Sequence, residues 1–177
     1  MKIDLFFLIS LAVLTTCDEC KDDPKPLTEL EKLPPATQVG KNTFGCLVDG
    51  KAWVIGSSID VAAFYQEGVL SIAAVNSENT EIIFINMYEL NLSVQSYTLP
   101  KENPGHFTSL AGLDEYKTTR CRFETTAGYT GNVVITHLDQ TFGKWIISGT
   151  FEFVGYSIDC QTTRSVTEGR FDVTYAP

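Results

Sequence analysis

The sequence predicts an all-β body, an antiparallel meander of nine or ten strands forming a sandwich or a filled barrel. Three observations carry that expectation. Between Gly131 and Val154, two strand-like runs flank a polar turn, and Ile147, Gly149, Phe151 and Phe153 alternate with Ser148, Thr150 and Glu152. A two-residue period sets one series against a core and the other in water. Short apolar runs recur along the chain, separated by turn-forming pairs such as Asp49-Gly50 and Glu67-Gly68. No convincing helical pattern follows residue 33.

Taken in order, the chain begins with Lys2 and an apolar run of ten residues, Leu5 to Leu14. That run fits the core of a signal peptide over residues 1–16 and is too short to span a bilayer as a helix. It ends in Leu14-Thr15-Thr16-Cys17. A Leu three residues before a Cys resembles the bacterial lipoprotein signal, in which the Cys is lipidated and becomes the new N-terminus. Thr16 stands where a smaller residue is usual, and the looser signal of the Bacteroides group of Gram-negative bacteria accommodates it. The alternative is ordinary cleavage near Thr16, with Cys17 left free. On the first reading the membrane partner is reached through acyl chains, each buried CH₂ adding about 0.8 kcal/mol.

Residues 17–42 read as an acidic tether containing Pro24, Pro26, Pro34 and Pro35. Such a segment buries too little apolar surface to fold alone, and proline favours extended geometry. Lys21, Asp22 and Asp23 resemble the tag that sends Bacteroides-group lipoproteins to the cell surface. Thr28 and Glu31 are spaced as a capping box, and Leu27, Leu30 and Leu33 recur at helical spacing, so one short turn is expected before Pro34-Pro35. Cys17 and Cys20 also form a C-x-x-C, but a redox or zinc role needs a strand-to-helix junction or a second pair, and neither is evident.

The β-body is expected over residues 43–177. Phe44, Cys46 and Val48 alternate, Asp49-Gly50 turns, and Ala52-Trp53-Val54 returns. Strands follow at Ile59–Tyr65, Val69–Val75, Glu81–Tyr88 and Ser93–Leu99. Residues 100–115, with Pro100, Pro104, Gly105 and Gly112, read as a loop. A strand at Tyr116–Thr125, the hairpin already described and a last run over Thr162–Tyr175 complete the body.

Phe44-Gly-Cys-Leu-Val-Asp-Gly-Lys-Ala-Trp53, preceded by Leu33-Pro-Pro-Ala-Thr-Gln38, resembles the opening of a family of small Bacteroides-group lipoproteins of unknown function. Ile146-Ile-Ser-Gly-Thr-Phe-Glu-Phe153 and Thr167-Glu-Gly-Arg-Phe-Asp-Val173 resemble later parts of the same family. The resemblance implies a secreted, anchored β-domain. It implies no reaction.

Composition and motifs bound the chemistry. The net charge of −9 and the lack of any Lys/Arg block argue against nucleic acid as a partner. The sequence contains no G-x-S-x-G, H-E-x-x-H, Walker or dinucleotide-binding pattern and no EF-hand loop, so no catalytic residue, metal site or cofactor is assigned. His106 and His137 are the only histidines; His137 next to Leu138-Asp139 is read as a strand surface residue. Asp114-Glu115 is read as a solvated loop pair, and Asp139 and Asp172 as acceptors for turn amides or partners of Arg164 or Arg170. Trp53 and Trp145 lie at strand ends, where a flat ring can stack on a sugar face, and are the candidate ligand-stacking residues.

The cysteines give one further expectation. With Cys17 lipidated and Cys20 in the tether, Cys46, Cys121 and Cys160 remain. Cys46 alternates with core residues and reads as a buried free thiol. That leaves a Cys121–Cys160 disulfide, with Cys46–Cys160 as the alternative. Direct pairing of 116–125 with 132–138 would set the two apart, so the bond requires the Cys121 segment to pair elsewhere. The functional expectation is a lipid-anchored outer-membrane protein, exposed at the cell surface, acting as a non-catalytic binding or accessory module for a glycan or a protein. The alternatives are an envelope structural protein without a small ligand, and a carrier of an apolar ligand in a hollow barrel.

Overall fold

Local turn chemistry starts the fold. Asp49 and Gly50 both adopt positive φ (48° and 79°), as do Glu67 and Gly68 (50° and 81°). Each pair closes a two-residue hairpin, joining Val48 to Lys51 and Gln66 to Val69. This turn type matches the strands' right-handed twist. In the computed structural model, which describes residues 25–117 and 120–177, eleven strands and no helix are present. They are β1 (Thr43–Val48), β2 (Lys51–Val54), β3 (Val61–Gln66), β4 (Val69–Asn76), β5 (Glu81–Tyr88) and β6 (Ser96–Leu99). Then come β7 (Leu110–Glu115), β8 (Cys121–Glu124), β9 (Gly131–Asp139), β10 (Ile146–Ser157) and β11 (Thr162–Thr174). The signal peptide, Cys17 and the Lys21, Asp22, Asp23 motif lie outside the described residues.

All strand pairs are antiparallel and belong to one sheet, in the order β2-β1-β11-β10-β8-β7-β5-β4-β3. β8 and β9 share one edge of the long β10: β9 pairs with Ile146–Phe153, and β8 meets it at Tyr156. β6 lies outside β9. The sheet curls into a half-barrel rather than splitting into two layers. The tail after β11 ties the curl together, because the Tyr65 amide donates to Ala176 O and the Ala176 amide to Ala63 O. Two sheet edges are thus covered, β3 by the tail and β2 by Glu29, which accepts from the Ala52 amide at 2.7 Å.

The inward series fills the curl. Phe44, Leu70, Ile72, Ile83, Ile85, Phe123, Ile135 and Ile147 are fully buried, with Phe151, Phe153 and Phe171 beside them. Four phenylalanines face glycines across neighbouring strands: on the inner face Phe171 opposite Gly149, Phe151 opposite Gly169 and Phe153 opposite Gly131, and on the outer face Phe84 opposite Gly112. A Cβ at Gly169 would lie 2.7 Å from the Phe151 ring, and one at Gly112 would lie 2.3 Å from the Phe84 ring. Each ring occupies the space its partner lacks.

That pairing corrects the reading of residues 100–115. Leu110–Glu115 is a strand, not a loop. Gly112 makes room for Phe84, Asp114 meets Arg122 at 3.6 Å and Glu115 meets Arg164 at 2.8 Å. The apparent solvated acid pair is buried, with each carboxylate held by a distant arginine. The expected strand at Tyr116–Thr125 shortens to β8. Because β8 pairs with β7 and the far end of β10, Cys121 reaches Cys160, and the two form a disulfide with Cα atoms 5.9 Å apart. Cys46 is a buried free thiol whose pKa burial pushes far up.

The tether expectation also changes along part of its length. The Thr28 amide donates to Glu31 Oε2 at 2.8 Å and the Glu31 amide to Thr28 Oγ1 at 3.3 Å, so the capping box forms. From there the chain is docked on the body. Leu33 is buried, and Asp172 collects the Thr37 hydroxyl, the amides of Val39, Gly40 and Lys41, and the Ser148 hydroxyl. Asp172 is 1% exposed. Burial pushes its pKa up, but the hydrogen bonds from Thr37, Gly40, Ser148 and Lys41 outweigh that and lower it to about 2. Ser148, read as water-facing from the alternation, is buried because it serves this carboxylate.

Two stability measurements follow from this packing. Phe151→Ala lowers unfolding stability by roughly 3–5 kcal/mol in denaturant titration; a change under about 1 kcal/mol would place the ring on the wrong face. Asp172, with its pKa depressed from 3.8 to about 2, contributes stability that is present above the ordinary value and lost as pH falls through the folded one. The wild type therefore loses roughly 2 kcal/mol more than Asp172→Asn on acidification across that window. Parallel pH curves for the two proteins would contradict the assignment.

Candidate functional site

The outer face of β6, β9, β10 and β11 carries a run of aligned polar side chains. Strand alternation puts Thr150, Glu152 and Val154 of β10 outward, and register sets Asn132 of β9 directly opposite Glu152. Ser96 of β6 donates to Asn132 Oδ1 at 2.7 Å and fixes its amide. A depression of about 510 Å³ lies over Asn132, Val134, Thr150, Glu152, Glu168 and Arg170. A second, of about 340 Å³, adjoins it over Thr98, Thr130, Asn132, Glu152, Val154 and Thr167. The two share Asn132 and Glu152 and form one groove across four strands.

One wall of the groove is the docked segment. Ala36 lines it, and Arg170 reaches past it to the carbonyl of Pro34 at 3.5 Å while pairing with Glu168 at 3.7 Å. Further along the face, Tyr156 follows Val154 in the outward series and stacks on Tyr129, with centroids 4.9 Å apart and planes 7° off parallel. Glu152 has no hydrogen-bond or ion-pair partner among the described residues. Its carboxylate is therefore free to accept from a ligand, beside an oriented amide and several hydroxyls.

The candidate stacking residues lie elsewhere. Trp53 is 3% exposed, packs edge-on to Phe44 at 6.0 Å and donates its indole N–H to Glu81 at 2.7 Å. It belongs to the core and offers no face to a ligand. Its position near a turn suggested exposure, but the ring points into the core, where Glu81 of β5 takes its indole N–H. Trp145 packs edge-on against Tyr175 at 5.9 Å and is half-buried, which makes it a structural contact as well. Rings that stack at the surface are instead Tyr129 with Tyr156, and Tyr88 with His106 at 3.7 Å.

The remaining chemistry-bearing residues have structural roles. Asp139 accepts from the Thr141 amide at 2.9 Å, and hydrogen bonding from Thr141 holds its pKa below the usual carboxylate range. It caps the β9–β10 turn, as expected for an acceptor of turn amides. Among the described residues, the hydrogen-bond partner of Asp139 is Thr141 rather than His137. Arg164 lies between Glu115 and Asp49, at 2.8 Å and 3.5 Å, over the Phe123 ring. The Glu115 hydrogen bond raises its pKa against the effect of burial. No group of three or more His, Cys, Asp or Glu able to hold a metal occurs among the described residues.

Groove residues were only partly legible in advance. Alternation marked Thr150 and Glu152 as outward, but nothing local places Asn132, Thr98, Thr167 and Arg170 beside them. Their proximity depends on which strands neighbour β10. No curated protein and no solved structure matches this chain. A family model does match, over residues 41–173, which spans β1 and nearly all of β11. The chain belongs to that family, described as a domain of unknown function (DUF6252).

Proposed function

We propose that this chain is a lipid-anchored envelope protein of the Bacteroides group whose β-body is a non-catalytic binding module for a glycan. The Leu14-Thr15-Thr16-Cys17 pattern supports the anchor, and Lys21, Asp22 and Asp23 support display at the cell surface. The observation that carries the binding reading is the groove with Glu152 and Asn132 opposed at its centre. A carboxylate without a partner accepts from sugar hydroxyls, an amide both donates and accepts, and the threonines add flexible donors. The paired tyrosines beyond Val154 supply apolar ring surface of the kind that sugar faces pack on. The interior is occupied by phenylalanine and aliphatic side chains, which favours an outer-face ligand over an apolar molecule carried inside.

Two measurements test the proposal. Cys17→Ala moves the protein from the membrane fraction to the soluble one and abolishes fatty-acid labelling; equal labelling of both proteins rejects the anchor. On a glycan array followed by titration calorimetry, Glu152→Ala and Asn132→Ala each weaken binding by roughly tenfold or more, the loss expected for one hydrogen bond to a charged or oriented group. Binding that survives in the double variant, or a wild type that binds no glycan, rejects the groove as a glycan site.

A further inference from the structure

Strand direction puts several loops at one end of the half-barrel. β9 ends and β10 begins there, joined through residues 140–145. β5 ends there beside the start of β4, and the following loop returns to β9 through the bond from the Ile135 amide to Gln95 O. The docked segment arrives at the same end, since Gln38 donates to Thr136 O and Gly40 lies against Ile146 and Thr174.

Each of these loops presents an apolar side chain to solvent. Phe142 at the β9–β10 tip is 93% exposed, and Val39, Leu90 and Val94 on the other segments are exposed as well. They sit on three separate segments. Lys41 and Lys144, both exposed, follow Val39 and Phe142 by two residues. Asp139 and Glu89 at this end are already paired with Lys144 and Lys101.

We infer that this loop end rests on a lipid surface, with Phe142 and its neighbours inserted among the headgroups. The headgroup region receives apolar side chains singly, from separate loops, with the exposed Lys41 reaching to the phosphates. The length of the tether supports the same occupant, on the reading that Cys17 is the anchor. The docked part begins at Thr28, so only ten residues separate it from Cys17. That stretch spans at most about 40 Å, comparable to the width of the body itself. The body is then held beside the bilayer, where a loop end can touch it.

The test places a photo-crosslinking benzophenone side chain at Phe142 or at Ile158, in the full-length protein in its own envelope. Ile158 is also exposed but lies on the β10–β11 loop at the opposite end. The two proteins share the same anchor and differ only in which end reports. Several-fold more lipid adduct at 142 than at 158 is expected. Equal lipid adducts at both positions, none at 142, or a protein adduct there would overturn the inference. Fractionation of Cys17→Ala reports on the anchor independently, so a membrane-bound protein without adduct at 142 counts against this face alone.

Discussion

The carboxylate of Asp172 holds the architecture at the point where sequence-distant pieces meet. It lies on the outer face of β11, opposite Ser148 of β10, and would be exposed there if nothing covered it. The segment over 37–41 covers it and brings four of its five donors. Burying a charge is unfavourable unless hydrogen bonds replace the lost water, and here they do so well enough to lower its pKa. The same bonds satisfy three consecutive backbone amides that belong to no strand. The chain before β1 is thereby part of the body, and one wall of the groove exists because it is.

The curl beneath that face has a different cause. On β9, β10 and β11 glycines stand opposite phenylalanines on adjacent strands, so the inner surface there alternates between bulky rings and bare backbone. Bare backbone on the inner side lets the strands bend around the core while the rings fill it. The outer surface then keeps its own series of threonines, Asn132 and Glu152 clear of packing duties. Core and groove are built from the two faces of the same strands, and the period of two keeps their requirements apart.

Legibility from sequence followed the range of the interactions involved. The turns at Asp49-Gly50 and Glu67-Gly68 are set by the residues within them, and both were readable. The alternation from Ile147 to Phe153 was readable for the same reason. It failed at Ser148, whose environment is set by a carboxylate 24 residues away. β7 was misread because Gly112, Asp114 and Glu115 look like loop residues until Phe84, Arg122 and Arg164 are placed beside them. Trp53 was misread because the groups that bury it lie on other strands. The Cys121–Cys160 bond was reached by eliminating the other cysteines, and its geometric condition, that β8 pair away from β9, is the one the sheet meets.

The groove and the loop end occupy different parts of the half-barrel, and their placement makes the two proposed contacts compatible. The groove crosses the wall of β6, β9, β10 and β11, while Phe142, Val39, Leu90 and Val94 project from one end. A body standing on that end would turn its wall sideways and leave the groove open to the surroundings. The docked segment contributes to both, since Ala36 lines the groove and Val39 lies at the tips. Its fixation by Asp172 therefore sets the groove's wall and the orientation of the tips through a single cluster of hydrogen bonds. Loosening that cluster would disturb both surfaces together, which ties the conformation of the chain before β1 to whatever the groove holds.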